Sequence, residues 1–256
     1  MKNDENMKIV INPKYEYLRN WIEQMPSFFE SSGEIVYKAR NILKVFSLDN
    51  GMDVNVKKYR KPHLFNRVVY SFFRKTKASR AYYNTLIIAE KGFKTAESVA
   101  YIEIKQNSLL LDSYFISLQC HDVKEIRECH SGPLSENENL IEAFAGYSAA
   151  LHDAGVYHLD YSPGNILYHN DNGKYTFILI DVNRMKFVPV SYDDGCKNFA
   201  RLFVDDEIYR YIGKVYSELR NNTLGKDETA RLIINYKNSF LKRKARLRRI
   251  KKVFQI

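Results

Sequence analysis

The stretch YHLDYSPGNILYHNDNGKYTFILIDVNRMKF, residues 157–187, constrains this chain more than any other. Asp160, Asn165 and Asp181 follow one another, each beside an apolar run. Placing two carboxylates and an amide against apolar sequence costs free energy unless they are paired, hydrogen-bonded or bound to a cation. The segment reads as a loop, the strand NILYH, the turn NDNGK and the strand YTFILID, with Asp181 closing the second strand.

The preceding half supplies strands. GEIVYKARN (33–41) and ILKVFSLDNG (42–51) are short and β-prone, and the DNG at 49–51 is a hairpin signal. DVNVKKY (53–59) alternates, with Val54 and Val56 on one face and Asn55 and Lys57 on the other. RKPHLFNRVVYSFFRKTK reads as a polar, basic connection. ASRAYYNTLIIAEKGF (78–93) has a helical pattern with Gly92 as its C-terminal stop. ESVAYIEIKQN and LLLDSYFISLQCH read as two further strands. The second half turns helical. SENENLIEAFAGYSAALHDAGV opens on Ser135 and Glu138, a capping-box spacing, and Leu140, Ile141, Phe144, Tyr147, Ser148 and Leu151 recur at helical intervals. GCKNFARLFVDDEIYRYIGKVYSELR and DETARLIINYKNSFLKRKARLRRIKKVFQI read as helices. The expected architecture is α+β and bilobal: a strand-rich N-terminal lobe, residues 1–120, and a helical C-terminal lobe, residues 121–256.

These residue types in this order suit phosphoryl transfer, which needs positioning and charge compensation more than covalent chemistry. Asp160 and Asn165 have the D-x4-N spacing of a kinase catalytic loop, and His158 stands two before the Asp as in H-R-D. A carboxylate at a strand end suits magnesium, which takes one or two carboxylates plus phosphate oxygens. Lys57 closes VNVK on the third strand, as the lysine of V-A-I-K does.

With VNVKKYRKPHLFNRVVYSFFRKTKASRAYYN and YHLDYSPGNILY…LIDVNRMKF, the chain resembles the lipopolysaccharide kinases, the Kdo/heptose kinase group within the protein-kinase-like fold, over about residues 33–205. The resemblance implies ATP and Mg2+ as cofactors. It implies Asp160 as catalytic base, Asn165 and Asp181 as metal ligands, and Lys57 as the phosphate-contacting, nucleotide-binding lysine. The chain departs from the pattern in several places. No G-x-G-x-x-G precedes Lys57; SSGEIVYKARNILKV has only Gly33, so backbone amides or Arg40 would have to cover the phosphates. Tyr83 stands where the helix acid that pairs with the lysine is expected, and Glu90 lies two turns further on. Asn55 occupies an adenine-roofing position that is usually apolar. Val182 and Asn183, not Phe and Gly, follow Asp181, and no A-P-E follows. A long activation loop is therefore not expected. That disfavours a regulated peptide-binding kinase and favours a small-molecule or glycolipid acceptor. His158 and His152 read as structural, and Lys57 is preferred to Lys58 on strand-face grounds.

The chain has 256 residues, 45% hydrophobic and 14% aromatic, enough for a sizeable core, and a net charge of +10 that favours a polyanionic partner. Cys120, Cys129 and Cys196 form no disulfide framework and read as reduced thiols; CHDVKEIRECH fits no common zinc spacing. There is no signal-peptide pattern, and no stretch reaches the roughly 20 apolar residues of a membrane span. The expected location is cytoplasmic, either soluble or peripheral on the inner face of the cytoplasmic membrane. The tail 241–256 interleaves Lys242, Arg243, Lys244, Arg246, Arg248, Arg249, Lys251 and Lys252 with Leu241, Leu247, Ile250 and Val253, the pattern of a membrane-surface helix. No nucleic-acid motif is present, and no nucleic-acid partner is expected. The leading reading is an ATP- and magnesium-dependent kinase acting on a hydroxyl of a lipopolysaccharide inner-core sugar or another anionic glycolipid. Two others stand beside it: the same fold acting on a protein or other small molecule, and a non-catalytic nucleotide-binding module.

Overall fold

The structure is a computed structural model and describes residues 5–220 and 224–253. The chain forms two compact units. The first is Met1–His121 with Asp181–Asn183, and the second is Asp122–Ile180 with Arg184–Ile256.

The first unit runs β1 (Glu5–Ile11), α1 (Arg19–Phe28), β2 (Glu34–Lys38), β3 (Ile42–Ser47), β4 (Asp53–Lys58), α2 (Leu64–Phe72), α3 (Lys77–Glu90), a two-residue β5 (Lys94–Thr95), β6 (Ser98–Gln106) and β7 (Leu109–Leu118). A six-stranded antiparallel sheet has the order β1-β6-β7-β4-β3-β2. Period-2 alternation on β4 decides which side chain meets which layer. Val54 and Val56 are fully buried with Ile22, Met25 and Phe29 from α1 and the residue after it. Tyr59, just beyond β4, joins Ala78, Ala81 and Tyr82 of α3 and Tyr101 and Phe115 of the sheet in a second cluster. α3 is fastened at its start by Thr76, whose hydroxyl accepts from Ser79 N (3.1 Å) and donates to Glu103 Oε1 (2.6 Å).

Several expectations are corrected here. β1 and α1 lie in a stretch that the sequence reading left without elements; Trp21, Ile22, Met25, Phe28 and Phe29 follow helical spacing, but Pro26 sits within the run. The connection after Lys58 contains α2, so residues 33–120 hold two α-helices among the described residues, not one. In the second unit, the first helix begins at Leu134 with Pro133 at the N-cap, so Ser135 is inside it and forms no capping box. Pro133 fixes an extended φ suited to a cap position, and Asn137 Nδ2 donates to its carbonyl (2.9 Å).

The second unit comprises β8 (Lys124–Glu125), α4 (Leu134–Asp153), β9 (Val156–His158), β10 (Ile166–Asp171), β11 (Lys174–Leu179), β12 (Met185–Phe187), α5 (Tyr192–Asn198), α6 (Asp206–Leu219) and α7 (Lys226–Val253). β10 pairs antiparallel with β11 and with β8, and β12 pairs with β9. The β10–β11 hairpin closes through Asn172 (φ 50°) and Gly173 (φ 88°), the two left-handed residues of a type I′ turn. Residues 192–219 make two helices where a single one was expected. A short 3-10 turn at Phe199–Arg201 intervenes, and the Asp205 side chain then caps α6 by accepting from Glu207 N (2.8 Å). α7 carries exposed Lys242, Arg243, Lys244, Arg246, Arg248 and Arg249 beside exposed Leu241, Leu247 and Ile250. The side chains of Lys251, Lys252 and Val253, and residues 254–256, lie outside the described residues. Among the described residues no helix is long and apolar enough to cross a membrane.

Candidate active site

Within the first unit, adjacent lysines on β4 point opposite ways. Lys57 Nζ pairs with Asp181 Oδ1 at 2.7 Å, and the lysine side chain is only 12% exposed. Lys58 pairs with Glu30 (2.9 Å) and Asp112 (3.6 Å). Asp181 has φ 54°, in the left-handed region where non-glycine residues are uncommon and a strain of about 1–3 kcal/mol is held by the surroundings. Asn183 Nδ2 donates to the same Oδ1 that Lys57 meets. Asn84 Nδ2, on α3, donates to the Val182 carbonyl at 2.7 Å. The Lys57 ammonium also lies 5.4 Å from the centre of the buried Tyr59 ring. Burial, then the negative charge of Asp181, pushes the Tyr59 phenol well up, so it stays neutral.

The helix acid expected opposite Lys57 is not supplied by α3. Tyr83 packs on Tyr82 (5.3 Å) and Tyr101 (6.0 Å) with Lys75 over its ring, and Glu90 is exposed at the far end. The carboxylate against Lys57 is Asp181 itself. Asn55 uses its amide to donate to Gln119 Oε1 (3.1 Å). Asn84 and Asn183 were not singled out in the sequence; an Asn one residue after the expected acid position, and another two after Asp181, were the available signals.

Within the second unit, Asp160 lies in the loop after β9 and Asn165 in the 3-10 turn before β10. Asn165 Nδ2 donates to the Asp160 carbonyl at 2.9 Å, which leaves the amide oxygen as the atom able to meet a cation. Arg201 pairs with Asp160 Oδ1 at 2.6 Å, the carboxylate being 27% exposed. Sequence reasoning missed Arg201, which is 41 residues away and joined to Asp160 only by the fold.

The two histidines are structural. Asp160 N–H donates to His158 Nδ1 (3.0 Å), so the ring proton resides on Nε2, which donates to the Ile180 carbonyl (3.2 Å). Asn198 Nδ2 donates to the His158 carbonyl (3.0 Å), turning its Oδ1 toward His152. His152 Nε2–H therefore donates to Asn198 Oδ1 (3.1 Å), and Nδ1 accepts from the Tyr216 hydroxyl (2.8 Å). Burial pushes the His152 pKa down to about 4. Tyr161, beside Asp160, is buried on Phe144, and its hydroxyl is 2.8 Å from Ser148 Oγ of α4. The loop that carries Asp160 is thus anchored by its neighbours, while the carboxylate stays accessible.

Among the described residues no group of three or more His, Cys, Asp and Glu side chains comes together as a metal cage. Taken each within its own unit, the Asp181 carboxylate and the Asn165 amide offer oxygen atoms, the donor type that a hard cation such as magnesium takes.

The model of the Lipopolysaccharide kinase (Kdo/WaaP) family matches residues 29–209. Among solved structures, the chain is similar to WaaP in complex with acyl carrier protein, at 16% identity and a TM-score of 0.61 over 93% of this chain and 98% of that one. It is also similar to the Rio2 kinase from Chaetomium thermophilum, at 15% identity and a TM-score of 0.46 over 94% and 83%. No curated protein sequence matches the chain. The first likeness is one of fold, a protein-kinase-like fold with a strand-rich first part and a helical second part. The family match spans well over half of the 256 residues and includes Lys57, Asp160, Asn165 and Asp181, and so the chain belongs to the lipopolysaccharide kinase (Kdo/WaaP) family.

Proposed function

We propose that this chain is an ATP- and magnesium-dependent kinase that phosphorylates a hydroxyl of a lipopolysaccharide inner-core sugar, Kdo or heptose. The observation that carries the reading is the Lys57–Asp181 pair, with Asp181 held at a left-handed φ two residues after β11 ends at Leu179. Lys57 contacts the nucleotide phosphates. Asp181 and the amide oxygen of Asn165 would hold magnesium. Bound there, magnesium would neutralise charge on the phosphate oxygens. Asp160 accepts the proton of the sugar hydroxyl through its carboxylate, and Arg201 orients that carboxylate from its partly exposed side.

Peripheral attachment to an anionic membrane face goes with this acceptor. The exposed basic residues of α7 support it, each worth about 1 kcal/mol near such a surface. Co-sedimentation with phosphatidylglycerol vesicles, lost in 300 mM salt or on replacing Arg246, Arg248 and Arg249 by Gln, tests it; equal binding to neutral vesicles would count against it.

The test of the main reading is radiolabelled phosphate transfer from ATP to purified inner-core oligosaccharide, for wild type and Asp160→Asn. The expected loss in turnover is about 10²–10⁴-fold. Transfer at wild-type rate by the variant would remove Asp160 from the base role. Magnesium-dependent ATP binding without transfer to any core sugar would instead favour a non-catalytic nucleotide-binding protein, a reading to which the missing helix acid lends support.

A further inference from the structure

The turn between β2 and β3 precedes the lysine-bearing strand, where a glycine-rich loop would cover the phosphates of a nucleotide. Here the turn is Ala39-Arg40-Asn41, closed by Ala39 N–H donating to the Asn41 carbonyl (3.1 Å), and Asn41 Oδ1 accepts from Arg60 N (3.2 Å). Gly33, the one glycine nearby, answers a packing need. Its φ is 78°, and a Cβ there would meet the Phe46 ring at 2.6 Å.

The turn instead borders a pocket of about 180 Å³ whose lining includes Arg40, Arg60, Lys61, His63 and Lys77. Lys77 and Lys57 lie against the same Tyr59 ring, at 6.0 and 5.4 Å from its centre. Among the described residues no carboxylate forms an ion pair with Arg40, Arg60, Lys61 or Lys77. Lys77 is the first residue of α3, whose first turn contains no acidic residue and also carries Arg80. A helix start disfavours cations, and like charges three apart repel. The same crowding acts on Lys77 directly: burial, then the charges of Arg40 and Arg80, pull its pKa down, with only Asp181 opposing them. Arg40, Arg60, Lys61 and Lys77, gathered at a cost and in no ion pair among the described residues, mark a place for a polyanion.

We propose that Arg40, Arg60, Lys61 and Lys77 form a phosphoryl-anion subsite, and that it holds the outer phosphates of the nucleotide whose triphosphate Lys57 contacts, supplying by side-chain charge what a glycine-rich loop supplies by backbone amides. The assignment of the nucleotide rests on the function proposed above; the anion subsite itself does not.

Calorimetric titration of the full chain with inorganic tripolyphosphate, ATP and adenosine separates the two. The variants are Arg40→Ala with Lys77→Ala, and Arg40→Lys with Lys77→Arg as the charge-keeping control. The expected result is that the alanine variant weakens both tripolyphosphate and ATP at least about tenfold, since charge-assisted hydrogen bonds are lost, while adenosine is unchanged and the control recovers most of the affinity. Weakened tripolyphosphate with unchanged ATP would overturn the nucleotide assignment and place an acceptor phosphate in the subsite. Unchanged tripolyphosphate would overturn the subsite. Absence of ATP binding in wild type would remove the proposed function and the nucleotide assignment together, with the tripolyphosphate arm still deciding the subsite.

Discussion

His152 should make this protein acid-labile in a defined window. Its ring is buried and neutral, donating to Asn198 and accepting from Tyr216, and its pKa is pushed down to about 4 from an ordinary 6.5. A depressed histidine pKa means that the unfolded chain binds a proton first as pH falls, so stability is full above the unfolded value and is lost between about pH 6.5 and pH 4. At pH 5 the unfolded imidazole is almost wholly charged and the folded one still mostly neutral. With about 1.4 kcal/mol for each pH unit, the loss at pH 5 relative to pH 7 is roughly 2 kcal/mol. Urea unfolding followed by circular dichroism at pH 7 and pH 5 reads this directly. The comparison is with His152→Gln, whose amide can donate to Asn198 and accept from Tyr216 but does not titrate in this range. The variant should lose roughly 2 kcal/mol less than wild type between the two pH values. Equal losses would refute the reasoning. Because Asn198 also donates to the carbonyl of His158, the same acid range should loosen the loop before Asp160.

Further outcomes follow from particular contacts. Lys44 is buried and its ammonium donates to the carbonyls of Phe29 (2.5 Å), Glu30 (3.1 Å) and Ser32 (2.8 Å) at the end of α1; Lys44→Met should cost about 2–4 kcal/mol in urea unfolding, because these acceptors lose their donor, and a neutral result would refute that role. Gly213 on α6 lies so close to α7 that a Cβ would meet Ala230 Cα at 2.6 Å, so Gly213→Ala should lower stability by about 1–3 kcal/mol despite alanine's better helix propensity, and a rise in melting temperature would contradict it. Asn84→Ala removes the tie to Val182 and should reduce kcat about 2- to 10-fold with little change in KM for ATP; an unchanged kcat would show that the segment after Asp181 does not need it.

Local chemistry made part of this protein legible from its residues alone. Alternation on DVNVKK separates Lys57 from Lys58, and a two-residue Asn-Gly turn between β-prone runs sets the β10–β11 register, because both depend on neighbours a few positions apart. The order Asp160, Asn165, Asp181 names a chemistry for the same reason. α1 and α2 escaped that reading: α1 contains a proline and is held by its buried Ile22 and Met25, and α2 lies in a stretch whose basic character masked its spacing. The partners of the chemical groups were also beyond local reach. Asp181 opposite Lys57, Arg201 on Asp160, Asn84 on Val182, and Arg40 and Lys77 around one pocket join residues tens of positions apart. Sequence determined which groups are available and which face of an element each occupies; only the tertiary structure decided which charges meet, because ion pairs and side-chain amide hydrogen bonds form across space once the apolar faces have been buried.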